Sequence, residues 1–252
     1  MKNKNIGMNP DFRYRGEDQT RLETFSDAVF ALAITLLIIN QEVPMSFSEM
    51  KGFIIDIIPF GLTMILMTYI WYEHYLYFVR FGFKNSKVVA MNALLLFFVL
   101  IYVYPLKFLA KLLVTMYSNF FLQIFGAGSD FGKVGLMISR NEMPDLMITY
   151  SLGAALIFLT LMWMYRYALK KKDELELSEI EVFDTQTSFQ VQQIMASIPI
   201  LSVLISLIFH NAIGGGISGF VYMAYPLIFG IYGRRRTRKR DILKSKLAEN
   251  LN

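Results

Sequence analysis

Six long runs of apolar residues, separated by short polar segments, dominate the chain. Each is close to the roughly 20 residues that a helix needs to cross a hydrocarbon core about 30 Å thick. The runs cover residues 22–40, 53–79, 88–106, 146–165, 189–209 and 213–233. The pattern therefore predicts an all-α, polytopic membrane protein with six transmembrane helices.

Two further stretches between these runs are harder to assign. Residues 108–128 are apolar, but they contain Lys111, and a seventh span would move the basic cluster at 166–172 across the membrane. We expect this stretch either to continue the third helix beyond Pro105 or to lie at the membrane interface. The charged stretch at 170–184 is expected to be a cytosolic linker or a short amphipathic helix.

The composition agrees with residence in lipid. Of the 252 residues, 55% are hydrophobic, and the mean hydropathy of +0.43 is too high for an ordinary soluble domain of this length. The chain contains no cysteine, which excludes disulfides, thiolate metal sites and cysteine nucleophiles. Mostly polar residues precede the first apolar run, so we expect no cleaved signal peptide.

The basic residues predict the orientation in the membrane. With the N-terminus in the cytosol, most Lys and Arg residues fall in cytosolic segments, and the positive-inside rule then places both termini there. We divide the chain into a cytosolic N-terminal segment, 1–20, a six-helix transmembrane domain, 21–233, and a basic cytosolic tail, 234–252. Because this tail adjoins a membrane helix, anionic lipid is a better expected partner than nucleic acid.

The residues that could support an enzyme or a metal site are sparse. The two histidines, His74 and His210, have no second histidine or carboxylate three or four residues further on. Ser26, Asp27 and His74 make a poor nucleophilic triad, because adjacent helical residues point about 100° apart. We therefore expect no enzymatic activity, no cofactor and no structural metal.

Other ion- and nucleotide-related motifs are also weak. The sequence GGGISG at 214–219 has the spacing of a dinucleotide-binding loop, but no strand precedes it, so close helix packing through Gly215 and Gly219 is the better interpretation. The apolar runs contain neither regularly spaced arginines nor a TVGYG-like filter.

The first apolar run carries a narrow stripe along one face of its predicted helix. At 100° per residue, Leu32, Thr35, Leu36 and Ile39 share this stripe, and Phe25 and Ala28 extend it towards the cytosol. Ordinary helix packing is one explanation of the stripe.

Ser26 and Asp27 lie off that stripe and need partners on neighbouring helices. Alternatively, Asp27 is a carboxylate near a helix N-terminus, with Thr24 or Ser26 as the cap.

Three motifs in the first three predicted helices resemble those of the transmembrane protein 175 family of potassium channels. The resemblance rests on R-x-x-x-F-S-D (Arg21, Phe25, Ser26, Asp27) before AVFALAITLLI, on W-x-x-H-x-x-x-F (Trp71, His74, Phe78), and on Asn92 followed by Pro105. It implies a prokaryotic six-span subunit that forms a homotetramer in the plasma membrane, with the first helices around a potassium-selective leak pore.

Carried onto this chain, the resemblance makes the stripe the pore lining. Leu32, Leu36 and Ile39 would form hydrophobic rings in place of a carbonyl filter, and Thr35 would form a hydroxyl ring near which K⁺ passes. Phe25 and Ala28 would line the cytosolic mouth. The permeant ions would be K⁺ and larger alkali cations, since these are the least costly to dehydrate.

The resemblance also gives the off-stripe residues a role as an anchor network. Ser26 and Asp27 would fix the cytosolic end of the first helix, with Trp71, His74 and Asn92 as candidate partners. Arg21 would need a carboxylate, either Glu23 or Asp27 of another subunit.

Two other functions remain open from the sequence. One is a proton-coupled transporter with Asp27, Glu73 and His74 as its relay, and the other is a non-conducting membrane scaffold.

Overall fold

The computed structural model describes residues 9–16, 18–39, 46–125, 135, 137–139 and 141–249, and the regular secondary structure of this part is entirely helical. The α-helices are α1 (Arg21–Ile39), α2 (Phe47–Phe81), α3 (Ser86–Ile124), α4 (Met143–Lys170), α5 (Glu179–Ile208), α6 (Ala212–Phe220) and α7 (Ala224–Glu249). A 3-10 turn, Val221–Met223, joins α6 to α7 without a break.

Four helical stretches among the described residues are long and apolar enough to cross a membrane. They are α3, α4, α5 and the stretch Ile213–Glu249 that contains most of α6 and all of α7. Helices α1 and α2 occupy the first two predicted runs. The structure thus supports a multi-pass, all-helical membrane protein, while the count of six spans and the cytosolic placement of both termini stay predictions.

Helix α3 decides between the two interpretations of residues 108–128. It continues through Pro105 as far as Ile124, so most of this stretch prolongs the third helix. Proline removes one intrahelical hydrogen bond, and membrane helices tolerate this because neighbouring groups and local backbone adjustments satisfy the freed carbonyl.

The charged stretch at 170–184 is divided in the structure. Residues 171–176 form turns, and α5 then begins at Glu179, well before the predicted start at residue 189. The early start has a local cause: the Ser178 hydroxyl accepts a bond from the Glu181 amide, and the Glu181 carboxylate accepts one from the Ser178 amide. This capping box satisfies two backbone donors that the first turn would otherwise leave free.

The N-terminal segment packs against the C-terminal end of α2. Phe12 is buried, with its ring 6.0 Å from that of Phe81. The Gly16 amide donates to the Val79 carbonyl at 3.0 Å, and a side chain at Gly16 would bring its Cβ to 2.3 Å from the Phe78 carbonyl oxygen. Only glycine permits this approach, which leads the chain along α2 directly into α1.

Close packing of α6 occurs at one of the two expected glycines. A Cβ on Gly215 would lie 2.8 Å from the Cβ of Met143, at the start of α4. A Cβ on Gly219 would only reach ordinary van der Waals distance from Met147. Gly215 therefore lets α6 approach the N-terminal end of α4.

Candidate functional site

Helix α1 begins with a capping box that the sequence analysis missed. The Thr20 hydroxyl accepts a bond from the Glu23 amide, and the Glu23 carboxylate accepts one from the Thr20 amide, both at 3.3 Å. The hydroxyls of Thr24 and Ser26 donate instead to carbonyls four residues earlier. Neither of them is the cap, and the spacing T-x-x-E was the available signal.

The two faces of α1 have opposite environments. One face, with Ser26, Phe30 and Ala33, is buried against α2 and α3. On the other face Phe25, Leu32 and Leu36 remain 61%, 53% and 38% exposed in the single chain, and Ala28 and Thr35 are exposed too. The predicted stripe is therefore not covered within one chain. The side chain of its last member, Ile39, lies outside the described residues.

Thr35 is the polar member of this stripe. Its hydroxyl donates a 2.8 Å hydrogen bond to the Ala31 carbonyl of the preceding turn. Because a hydroxyl has one donor and two acceptor lone pairs, the oxygen keeps the capacity to accept from water or to coordinate a cation.

Asp27 is held by two donors from different parts of the chain. The indole Nε1–H of Trp71 donates to Asp27 Oδ1 at 2.8 Å, and the amide of Gln19 donates to Oδ2 at 3.1 Å. Hydrogen bonds to a carboxylate are stronger than those between neutral groups. Trp71 is one of the expected partners, whereas Gln19 precedes the helix and belongs to no recognised motif.

Ser26, Asn92 and His74 form a buried chain of hydrogen bonds across α1, α3 and α2. Asn92 Nδ2 donates to Ser26 Oγ at 2.9 Å, and Ser26 donates onward to the Leu22 carbonyl at 2.8 Å. Asn92 Oδ1 lies 2.8 Å from His74 Nε2. Since that amide oxygen can only accept, His74 carries a proton on Nε2 and donates it to Asn92.

The ring of His74 is also fixed by packing. It lies between Phe30 and Phe78, at centroid distances of 5.6 and 4.7 Å. The structure thus brings all five off-stripe candidates into one region, where they connect α1 to both neighbouring helices.

Arg21 does not join this region. It is exposed at the start of α1. Glu23 is engaged in the capping box, and Asp27 is bonded to Trp71 and Gln19. Within the described part of one chain, the hydrogen bonds of Glu23 and Asp27 are therefore made to partners other than Arg21.

Glu73 lies on a different side of α2 from His74. Its carboxylate accepts from Gln192 of α5 at 2.8 Å and from the Tyr165 hydroxyl of α4 at 3.3 Å. In the described part of the chain, the hydrogen bonds of Asp27, Glu73 and His74 thus run to three separate sets of partners. Among the described residues, no hydrogen bond joins these three side chains to one another.

Comparison with known proteins identifies the class of membrane protein. A family model described as "Endosomal/lysosomal potassium channel TMEM175" matches residues 21–102. A protein of Marivirga tractuosa named "Potassium channel" is 42% identical over 239 residues, which are 93% of this chain and 94% of that protein. The chain belongs to the TMEM175 family of potassium channels.

A solved structure extends the likeness to the TMEM175 fold. It is a crystal structure of a threonine-to-alanine variant of the potassium channel MtTMEM175, in complex with a nanobody–MBP fusion protein. The two chains share 41% identity with a TM-score of 0.79, and the match covers 92% of this chain and 100% of the other. These relatives are channels and not enzymes, which agrees with the expectation from the sequence.

The TMEM175 family model coincides with the site described above. Residues 21–102 span all of α1 and α2 and the first part of α3. These helices carry the exposed stripe and, apart from Gln19, the side chains that hold Ser26 and Asp27.

Proposed function

We propose that this TMEM175 channel is a potassium-selective leak channel of the prokaryotic plasma membrane, formed by four copies of the chain around a pore lined by α1. The observation that carries the proposal is the exposed stripe of α1, opposite a face that is fixed by hydrogen bonds to α2 and α3. A helix held on one side presents its other side in a defined orientation, which a pore lining requires.

Selectivity would arise from dehydration at an apolar constriction. Rings of Leu32, Leu36 and Ile39 offer no ligands for an ion, so a cation passes only by losing part of its hydration shell. K⁺ and the larger alkali cations lose water at lower cost than Na⁺. The Thr35 ring would replace part of the lost hydration, because its hydroxyl oxygens keep free lone pairs.

The cytosolic mouth would be formed by Phe25 and Ala28, which continue the exposed face below Leu32. Arg21 lies at the same end of α1 and is exposed, so we place it near an acidic group of a neighbouring subunit. The anchor network would set the angle of α1 and thereby the diameter of the constriction.

A cysteine scan tests the pore lining, because the chain has no native cysteine and each introduced thiol is unique. In proteoliposomes, a cationic thiol reagent should block K⁺ flux through Thr35→Cys. The matched control is Leu201→Cys, an exposed position on α5. Equal sensitivity of the two variants would exclude Thr35 from the ion path.

The same liposomes separate the other two functions. Passive K⁺ flux without a proton gradient supports the channel, flux that requires a proton gradient supports a transporter, and the absence of flux supports a scaffold.

A further inference from the structure

Helix α7 leaves the last apolar run and continues as a strongly basic helix to Glu249. Its basic residues are divided between two faces. Those of the inner face, Arg236, Arg240 and Lys244, recur every four residues and point towards α5 and the N-terminal segment. Those of the outer face, Arg234, Arg235, Arg238 and Lys239, are exposed.

The three side chains of the inner face are bonded within the chain, two of them to carboxylates. Arg240 donates to both carboxylate oxygens of Asp184 at 2.8 and 3.0 Å. Lys244 donates to Asp11 at 2.9 Å. Arg236 donates to the Thr187 hydroxyl, and its guanidinium lies 3.9 Å from the centre of the Phe183 ring. These contacts fix the rotation of α7 about its own axis.

The outer face has no such partners. Among the described residues, no carboxylate lies within ion-pair distance of these four side chains. Because the inner contacts prevent α7 from turning, the four positive charges point away from the chain that carries them.

The position of the outer face along α7 matches the headgroup layer. The apolar run ends at residue 233, and a rise of 1.5 Å per residue places Arg238 about 8 Å beyond it along the helix axis, with Lys239 one residue further out. The headgroup region on each side of a bilayer is on the order of 5–8 Å thick. Guanidinium groups also match phosphate geometry, since they can donate two parallel hydrogen bonds.

We propose that this outer face of α7, formed by Arg234, Arg235, Arg238 and Lys239, binds the phosphate headgroups of anionic lipids in the cytosolic leaflet. The inner face holds the helix in place, and the outer face contacts the membrane surface. The four basic side chains would recognise the negative charge of the lipid headgroups. This proposal does not depend on whether α1 lines a pore.

Lipid binding to the purified full-length protein tests the proposal without an ion-flux measurement. Native mass spectrometry in detergent would compare phosphatidylglycerol with phosphatidylcholine. Replacing all four cations with glutamine should weaken phosphatidylglycerol binding at least about tenfold and leave phosphatidylcholine binding unchanged. An unchanged affinity for phosphatidylglycerol would overturn the proposal.

Single variants supply a matched comparison on the same helix. Arg238→Gln should weaken phosphatidylglycerol binding about fivefold. Lys246→Gln removes one exposed charge about 20 Å beyond residue 233, so its effect should be much smaller. If both variants lose the same affinity for phosphatidylglycerol, binding depends on the total positive charge of α7, and the outer face is not a defined lipid site.

Evidence that the outer face binds either of two other partners would also overturn the proposal. If the fourfold variant changes the oligomeric state in phosphatidylcholine, the outer face is a contact between subunits. If single-stranded RNA displaces phosphatidylglycerol from the wild-type protein, the face binds nucleic acid. Unchanged thermal unfolding in phosphatidylcholine checks that each variant is folded.

Discussion

The indole nitrogen of Trp71 lies 2.8 Å from the Asp27 carboxylate and donates a hydrogen bond to it across the contact between α2 and α1. Asp27 sits one residue after Ser26, which is bonded to Asn92 on α3. Two adjacent residues of α1 are therefore tied to two different helices. Together they restrain both the tilt and the rotation of α1, whose opposite face is exposed.

Removal of the indole donor should weaken this restraint. Trp71→Phe keeps an aromatic ring but leaves Asp27 with Gln19 as its remaining donor. Because hydrogen bonds to charged groups contribute roughly 1.5–3 kcal/mol, the melting temperature in detergent should fall by several degrees. Trp163→Phe, at an exposed position on α4, is the control. If both variants melt alike, the bond to Asp27 contributes little.

The bond between His74 and Asn92 should show strong coupling between the two side chains. Asn92→Leu leaves the Nε2–H of His74 buried without an acceptor, which costs about 1–3 kcal/mol. Replacing His74 with phenylalanine in that background removes the unpaired donor, so the double variant should be more stable than the sum of the single losses. Thermal unfolding of all four proteins measures the coupling energy. Additive losses would contradict a direct bond.

The sequence predicted the helices well where apolar runs and local motifs define them. Trp71, His74 and Asn92 could be predicted as partners of Ser26 and Asp27 because they belong to the motifs that carry the resemblance to the family. The two capping boxes, at Thr20 and Ser178, are also visible in the sequence as the spacings T-x-x-E and S-x-x-E.

Contacts between distant segments that lie outside the recognised motifs could not be predicted from the sequence. Arg15 donates to both oxygens of Glu181 at 2.9 and 3.0 Å, in a pair that is largely buried. Nothing in the local pattern of either residue specifies the other, since the pairing depends on how the N-terminal segment lies along α2. Pro105 was ambiguous for a different reason, because proline ends helices in water but is tolerated inside membrane helices.

The contact between the N-terminal segment and α7 should resist mild acid. Lys244 hydrogen-bonds the Asp11 carboxylate and lowers its pKa below the usual 3.8; burial opposes this shift, and Arg240 adds to it. A lowered pKa means that Asp11 stabilises the fold fully above about pH 4, and that this contribution is lost as the pH falls through the lower folded value. The protection factor of the Gly16 amide, which is bonded to Val79, should therefore stay constant from pH 7 to pH 5 and fall only below pH 4.

Asp11→Asn tests the origin of this behaviour. The variant cannot form the ion pair with Lys244, so the protection factor of Gly16 should be lower at neutral pH and should no longer respond to acid through this group. Asp241→Asn, at an exposed position on α7, is the control and should behave like the wild type. A wild-type acid response in Asp11→Asn would assign the transition to another carboxylate.

The apolar constriction should widen when one of its leucines is shortened. Leu32→Ala removes three carbons from each side chain of the proposed Leu32 ring, so single-channel K⁺ current should rise and discrimination among cations should weaken. Leu204→Ala, at a similarly exposed position on α5, should leave the current unchanged. An unaltered current in Leu32→Ala would place this side chain away from the narrowest point.

The hydroxyl of Thr35 should affect selectivity more than conduction. Thr35→Ala removes the oxygen that would replace lost hydration, but it keeps the apolar rings, so K⁺ should still pass while the permeability ratio of K⁺ to Na⁺ falls. Thr24→Ala is a close control, because Thr24 is also exposed on α1 and also donates to a carbonyl four residues earlier. Bi-ionic reversal potentials in planar bilayers give the ratio directly. The same ratio in wild type and Thr35→Ala would reduce Thr35 to a packing residue and leave dehydration at the leucine rings as the source of any selectivity.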